Sequence, residues 1–434
     1  MVEPESLNYQ KNRKIKTRNV AVIGFGTIGT GVVDLLYNRG IPGLKLVKVV
    51  DKDQERKRAV SLPAGMLVPD LKAATDDPQV DIIVELMGGI EPAKTVLLTS
   101  LKNGKDIVTA NKKLLAKEGS DIFETAAALG RRIGFRASFV GAHSLIHEFR
   151  QAKAMGRRFR KIQAILNGTS NYILSTMSSQ GKSFAEALKE AQVKGFAEFD
   201  PSDDIDGLDT ASKIRILLGL IGDSYHTVGT FPLEGIRDIT QQDIQYAAEL
   251  GYSVKLVGVI EQGEGAFNVS VRPALIPANS LLGSLQGPMN GIELEDDQNV
   301  VTGMVAPGAG ADPTAESVIK DLLDIYEGRP MPVPTSSEII PLGSAESVQR
   351  RFYLRFSALD QAGVLAQICN IFWEYNISIA AVIQKEAVSA NFVPIVMTTH
   401  LAKEGNLQAA IAQVDKLDVV KAQTRVIRIL KTAT

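Results

Sequence analysis

The chain has 434 residues, 48 Lys and Arg against 49 Asp and Glu, and a formal net charge of −1. That length allows two or three domains with cores of their own, and the charge balance offers nothing to nucleic acid or an anionic membrane. No apolar run is long enough to cross a bilayer, and one Cys with four His argues against both a disulfide and a zinc site.

The N-terminal MVEPESLNYQKNRKIK lacks the apolar core of a signal peptide and reads as a short polar arm. A cytoplasmic protein is expected. NVAVI (19–23) is a short β-branched run, as a buried parallel strand should be. Gly24-Phe25-Gly26-Thr27-Ile28-Gly29 follows at once, and TGVVDLLYNRG then reads as a helix ending at Gly40. A GxGxxG gains meaning from this strand–helix setting, where glycines let backbone N–H groups approach a pyrophosphate at a helix N-terminus. The next strand, LKLVKVV, ends at Asp51, an acidic position suited to ribose hydroxyls and so to NAD. Lys52, Arg56, Lys57 and Arg58 follow and could serve a 2′-phosphate, so the cofactor is NAD or NADP, with the lean to NAD.

The alternation continues. DIIVEL (81–86) is a strand ending in Gly88 and Gly89, EPAKTVLLTSLKNG a helix closed by Gly104, and DIVT a strand ending at Ala110, Asn111 and Lys112. SDIFETAAALG reads as a helix and RRIGFRAS as a strand. Strands and helices in turn imply a doubly wound parallel sheet, with ligands at the carboxyl ends of its strands.

KIQAIL (161–166) is the next strand. Asn167-Gly168-Thr169-Ser170-Asn171 follows, with Asn167 or Ser170 able to cap the helix YILSTMSSQ. SFAEALKEAQVKG is an amphipathic helix stopped by Gly195. Then comes GFAEFDPSDDIDGLDTASK, which packs Glu198, Asp200, Asp203, Asp204, Asp206 and Asp209 ahead of Lys213. With a helix starting near Gly207, Asp209 and Lys213 share one face. A lysine heading the apolar helix IRILLGLIG, beside carboxylates, suits proton transfer; the bland reading is a solvated acidic loop. MPVPTSSEIIPLGSAES reads as a linker. Beyond it, FYLRFSALD, GVLAQICNIFWEYN, ISIAAVIQKE, NFVPIVMTTH, NLQAAIAQVDKL and TRVIRILK give a βαββαβ order. Cys369 lies in the apolar face of the first of those helices and reads as a structural thiol.

Taken together these motifs resemble the homoserine dehydrogenases, in the long form with a C-terminal ACT domain. The resemblance rests on GFGTIGTGV, VELMGGIEPAKT, DIVTANKKLLA, ILNGTSNYIL, GFAEFDPSDDIDGLDTASK and PGAGADPTAESV, and spans nearly the whole chain. It implies an NAD(P)-linked interconversion of L-homoserine and L-aspartate 4-semialdehyde, in threonine, methionine and isoleucine biosynthesis. By position, Lys112 and Lys213 match the two lysines that are acid/base candidates. Glu198 matches a glutamate near the substrate, and Asp204 and Asp209 match aspartates that hold its amino group and orient Lys213. Gly168 and Thr169 match the turn near substrate. Gly24 to Gly29, Asp51, Gly88, Gly89, Lys112, Gly308 and Gly310 match cofactor contacts. The fold implied is a Rossmann domain over 1–140 completed by 300–330, an α+β catalytic and dimerisation domain over 141–330, a linker over 331–349 and an ACT-like domain over 350–434. A homodimer or homotetramer and a threonine-type effector at the Asp360-Gln361-Ala362-Gly363-Val364-Leu365 turn are also implied.

One segment departs from the family. Where its members read FEASVGGGIPI, this chain has Phe135-Arg136-Ala137-Ser138-Phe139-Val140-Gly141-Ala142-His143-Ser144-Leu145. The family's monovalent-cation site uses that glutamate and backbone carbonyls. An arginine cannot ligate a cation, so no metal is assigned, and Arg136 is read as a fixed charge seeking a carboxylate. Two other functions stay open: a non-catalytic amino-acid or nucleotide sensor whose site has decayed at 136–144, and a reductase of another small oxo-acid. A cysteine-dependent semialdehyde dehydrogenase is disfavoured, because Cys369 lies outside the catalytic region.

Overall fold

The computed structural model describes residues 17–138, 143–224, 226, 229–308, 311–329, 331–385 and 392–431. Gly141, Ala142 and Gly310, and the side chains of His143 and Ser144, lie outside the described residues. The chain forms two compact units.

The first unit comprises the chain up to Leu114, Glu124–Ala137 and Ala311–Met331. Its elements are β1 (Arg18–Ile23), α1 (Thr27–Val33), β2 (Leu44–Val50), β3 (Leu67–Val68), α2 (Lys72–Thr75), β4 (Ile82–Glu85), α3 (Ala93–Lys102), β5 (Asp106–Thr109), α4 (Lys112–Ala128) and β6 (Ile133–Gly134), joined by α11 (Ala311–Glu327) from much later in the chain. All strands are parallel, in the order β3-β2-β1-β4-β5-β6. This is the dinucleotide-binding order, whose direction of winding reverses between β1 and β4 and opens a crevice there. The inner strands are apolar because both faces are covered: Val20, Val22, Ile82 and Val84 are fully buried, each contributing about 1.5–3 kcal/mol of burial. The peptide between Glu91 and Pro92 is cis.

Three local expectations fail here. The helix after β1 does not stay α-helical to its end; its last turns, Asp34–Gly40, widen into a π-helix. The helix over 120–130 begins eight residues earlier, at Lys112, because Asn111 caps it by accepting from Leu114 N. The strand expected over 131–138 shrinks to Ile133–Gly134. Beyond it, Arg136 N donates to Asp321 Oδ2 at 2.7 Å instead of to a neighbouring strand, and Arg136–Ser138 closes into a 3-10 turn.

The second unit comprises Leu115–Phe123, Ser138–Gly310 and the chain from Pro332 onward. It contains α5 (His143–Ala154), β7 (Phe159–Ile165), α6 (Gly168–Gln180), α7 (Phe184–Val193), α8 (Ser202–Ile205), α9 (Leu208–Ile221), α10 (Gln241–Glu249), β8 (Tyr252–Gln262), β9 (Phe267–Pro277), β10 (Met289–Asp296) and β11 (Val301–Pro307). The ACT-like module adds β12 (Gln349–Leu359), α12 (Val364–Glu374), β13 (Ile379–Gln384), β14 (Phe392–Thr399), the short β15 (Ala402–Lys403), α13 (Glu404–Val414) and β16 (Val420–Ile429). One sheet runs through both parts, in the order β11-β10-β7-β8-β9-β16-β12-β14-β13. The join is a parallel pairing of Arg428 with Ala274 and Ile429 with Leu275. The stretch read as a linker is pinned along its length: Ser336 N donates to Asp223 O at 3.0 Å, Ile340 N to His226 O at 2.7 Å and Phe267 N to Pro341 O at 2.9 Å, and Ile340 is buried.

The Arg136 substitution is settled within the first unit. Its guanidinium donates to Asp321 Oδ1 and to Asp324 Oδ2, each at 2.8 Å, with all three side chains buried. Removing one partner from such an arrangement leaves buried charge uncompensated. Arg136→Met is therefore expected to lower unfolding free energy by about 3–5 kcal/mol, read as a shift of the urea midpoint; a midpoint equal to wild type would show that the pair carries no stability.

Candidate functional site

In the first unit the sequence-predicted cofactor residues collect at the carboxyl ends of β1, β2, β4 and β5. Gly24 ends β1 at φ +103°, and a side chain there would lie 2.7 Å from the Leu86 carbonyl at the end of β4. Only glycine permits that approach, and it closes the turn at the switch point. Gly26, which precedes α1, faces open space, with no atom within 4 Å of an added Cβ. Backbone N–H groups and the α1 dipole, with Thr27, Ile28 and Gly29 in its first turn, are thus open to an anionic group. That arrangement fits the pyrophosphate of a dinucleotide.

Asp51, just past β2, is already engaged. Its Oδ2 accepts from Phe25 N at 2.6 Å and its Oδ1 from Asp53 N at 2.9 Å. Arg58 lies 3.3 Å from Oδ1 and stacks 4.7 Å over the Phe25 ring. Its three nitrogens also donate to backbone carbonyls of Phe25, Arg56 and Asp53. Arg58 is a clamp on the two loops.

Gly88 and Gly89 follow β4, both at positive φ. Their turn is tied to β5 by Glu85, which the motif reading passed over, and by Asn111, which it placed at a strand end. Glu85 is fully buried and accepts from Met87 N at 2.8 Å, Gly88 N at 3.2 Å and Thr109 Oγ1 at 2.6 Å. Burial pushes its carboxyl up, against the lowering effect of those donors. Asn111 donates to Gly89 O at 2.6 Å. Lys112 is the first residue of α4, directly after this anchor.

In the second unit the acidic segment forms a hub with the end of β7. Asn167 caps α6, its Oδ1 accepting from Ser170 N at 2.7 Å. Its amide N–H groups donate to Asp204 Oδ1 at 2.7 Å and Asp209 Oδ2 at 2.9 Å. Asp209 Oδ2 also accepts from Lys213 Nζ at 2.8 Å, and Lys213 donates to Leu166 O at 2.6 Å. Lys213 and Asp209 are 7 % and 5 % exposed, so this is a desolvated ion pair one turn apart on α9. Ser170 Oγ adds a bond to Asp204 O at 2.8 Å.

Gly168 and Thr169 form the first turn of α6, not a free loop. Thr169 Oγ1 donates to Phe196 O at 2.6 Å. Gly168 meets Gly308 back to back: a Cβ on Gly308 would lie 2.8 Å from Gly168 Cα and 2.7 Å from Asn290 Oδ1. Any side chain at either position would part the two turns. Asp209, Asp204, Gly168, Thr169, Gly308 and Lys213 are therefore joined by direct contacts, with Asn167 the residue that sequence reading left as a helix cap alone. Glu198 stands apart: its residue is exposed, and among the described residues no hydrogen bond ties its carboxylate to the hub. Asp200 and Asp206 have structural partners. Ser202 holds the Asp200 carboxyl below its usual range, and Arg237 does the same for Asp206.

Family models match in three consecutive blocks: the homoserine dehydrogenase NAD-binding domain over residues 24–136, homoserine dehydrogenase over 145–323 and an ACT domain over 352–419. The homoserine dehydrogenase of Neisseria gonorrhoeae is 35% identical over 435 residues, covering 95% of this chain and 99% of the relative. The chain belongs to the homoserine dehydrogenase family. The enzyme of that name from Synechocystis is also 35% identical, covering 95% of this chain and all of its own. A crystal structure of a homoserine dehydrogenase from Thiobacillus denitrificans superposes with a TM-score of 0.85 at 35% identity, covering 95% of this chain and 98% of that one. The chain is thus an oxidoreductase with a nicotinamide-cofactor domain and an ACT module. Nothing in the matches favours a sensor or a reductase of another oxo-acid.

Proposed function

We propose that this family member interconverts L-homoserine and L-aspartate 4-semialdehyde at the hub around Asn167, with Lys213 as the proton donor and acceptor at the reacting oxygen. The observation that carries this is the buried Lys213–Asp209 pair, held at 2.8 Å and anchored on Leu166 O. The bound nicotinamide would supply or accept the hydride. For aldehyde reduction an ammonium stabilises the developing alkoxide and gives it a proton; for homoserine oxidation the neutral amine takes that proton. Asp209 fixes the Nζ position, so no reorganisation is needed as charge develops. Asp204, on the same Asn167 amide, supplies a carboxylate for the substrate ammonium, with Glu198 above the exposed side of the segment. Lys112 serves as the second lysine and Gly168 and Thr169 as the turn that meets substrate. A dimer is our reading of the assembly, through the sheet that ends at β11.

For the cofactor we favour NAD. Arg58 spends its nitrogens on backbone carbonyls and Asp51, leaving Asp51 in place to meet ribose hydroxyls and Lys52, Arg56 and Lys57 on the exposed side. For the effector we assign the turn at Asp360–Leu365, where Gly363 caps α12 at φ +89°.

Lys213→Met should lower kcat for homoserine oxidation by about 10²–10⁴-fold with an unchanged far-UV spectrum; a folded variant of near wild-type kcat would remove Lys213 from the chemistry. Asp51→Ser should move the NADP/NAD ratio of kcat/KM by at least about tenfold towards NADP, and a constant ratio would refute its role in selection. L-threonine is expected to inhibit wild type and to lose potency in Asp360→Ala, measured as the inhibition midpoint; an unaltered midpoint rules that turn out as the site.

A further inference from the structure

A second charged cavity lies within the second unit, away from the hub. It encloses about 740 Å³ between α13, β16 and the segment around Glu234, a size ordinary for small-molecule sites. Arg272, Arg425 and Arg428 line it together with Glu234 and Glu404. Glu404 accepts from Arg272 Nη1 at 2.7 Å and from Arg428 Nη2. Glu234 Oε1 lies 3.2 Å from Arg425 Nη1, and its Oε2 3.9 Å from Arg428 Nη1.

Four guanidinium groups, of Arg272, Arg355, Arg425 and Arg428, and four carboxylates, of Glu234, Asp238, Glu404 and Asp415, line the cavity, so the charges balance while individual arginine donors stay unmatched. Among the described residues, Arg425 Nε and Nη2 and Arg272 Nε are buried with no hydrogen-bond partner, an arrangement that favours a further acceptor. Burial pushes the Glu234 and Glu404 carboxyls up. Arg425 lines the cavity, with its side chain 15% exposed. Asp238 and Asp415 also line it, with Asp415 Oδ1 accepting from Thr424 N at 3.0 Å.

We propose that this cavity is a binding site for a small carboxylate, held by Arg425 with Arg272 and Arg428. The site is separate from the Asp360–Leu365 turn and from the substrate hub. It is also mechanically joined to the hub. Glu234 N donates to Val271 O at 2.9 Å and Ile236 N to Ile205 O at 2.8 Å. Arg237 Nη2 reaches Asp206 Oδ2 at 2.9 Å and Ser202 Oγ at 3.1 Å. A carboxylate that draws Arg425 from Glu234 therefore acts on the segment that supports Asp204 and Asp209.

Titration calorimetry on the full chain tests this without reference to activity. Succinate and L-aspartate are the probes; succinamide and L-asparaginamide are their carboxylate-free controls. At least one carboxylate should bind and its control should not. Arg425→Met should weaken that binding at least about tenfold, while Arg425→Lys, which keeps the charge, should weaken it less and guards against a folding defect. Asp204→Ala and Asp360→Ala, which disable the substrate cradle and the effector turn, should retain it, with at most a modest change from coupling at Asp204. The proposal is overturned if neither carboxylate binds, if the control binds equally, if Arg425→Met binds as wild type, or if either aspartate variant abolishes binding.

Discussion

The second unit turns on one carboxamide. Asn167 ends β7, starts α6 through its oxygen, and spends both amide N–H bonds on Asp204 and Asp209. Two carboxylates brought this close would repel in a low-dielectric setting. The shared neutral donor holds them without cancelling either charge, so Asp209 can pair with Lys213 while Asp204 stays on the same amide. An aspartate at 167 would add a third negative charge, and a leucine would leave both carboxylates without their shared donor. The strand, the helix start, the acidic turn and the lysine all derive their geometry from that side chain.

Much of this was readable in the chain, and the reasons are local. The glycine motif lies between a strand and a helix, the parallel strands are continuous apolar runs, and the ACT-like order follows a clear change of period from 2 to 3.6. Asp209 and Lys213 are four residues apart, so their contact follows from helix geometry alone. What escaped depends on partners distant in sequence. Asn167 looks like a cap until Asp204 and Asp209, 37 and 42 positions on, are brought to it. Glu85 looks like one more strand residue until Thr109 closes on it. The strand through Arg136 was lost to a bond spanning 185 residues, which no periodicity encodes.

Arg136 and Arg58 show one economy at two places. Each spends its guanidinium inside the first unit, on buried carboxylates in one case and on loop carbonyls in the other. A side chain that looks ready for a ligand in the sequence is a fastener in the fold. Arg425 is the contrast: Nη1 reaches Glu234, but among the described residues Nε and Nη2 have no partner.

The join between β9 and β16 amounts to two residue pairs and a following bond from Leu430 N to Leu275 O at 2.9 Å. Those few bonds make the ACT-like module the guard of a sheet edge. Elsewhere along that side of β9, Val271 bridges to Leu233 and Phe267 to Leu342, so the module covers only the Ala274–Leu275 end, which without it would be open to another chain. Gain or loss of this module over evolutionary time is therefore no simple cut at the 331–349 stretch: each event must also supply a new way to blunt that edge.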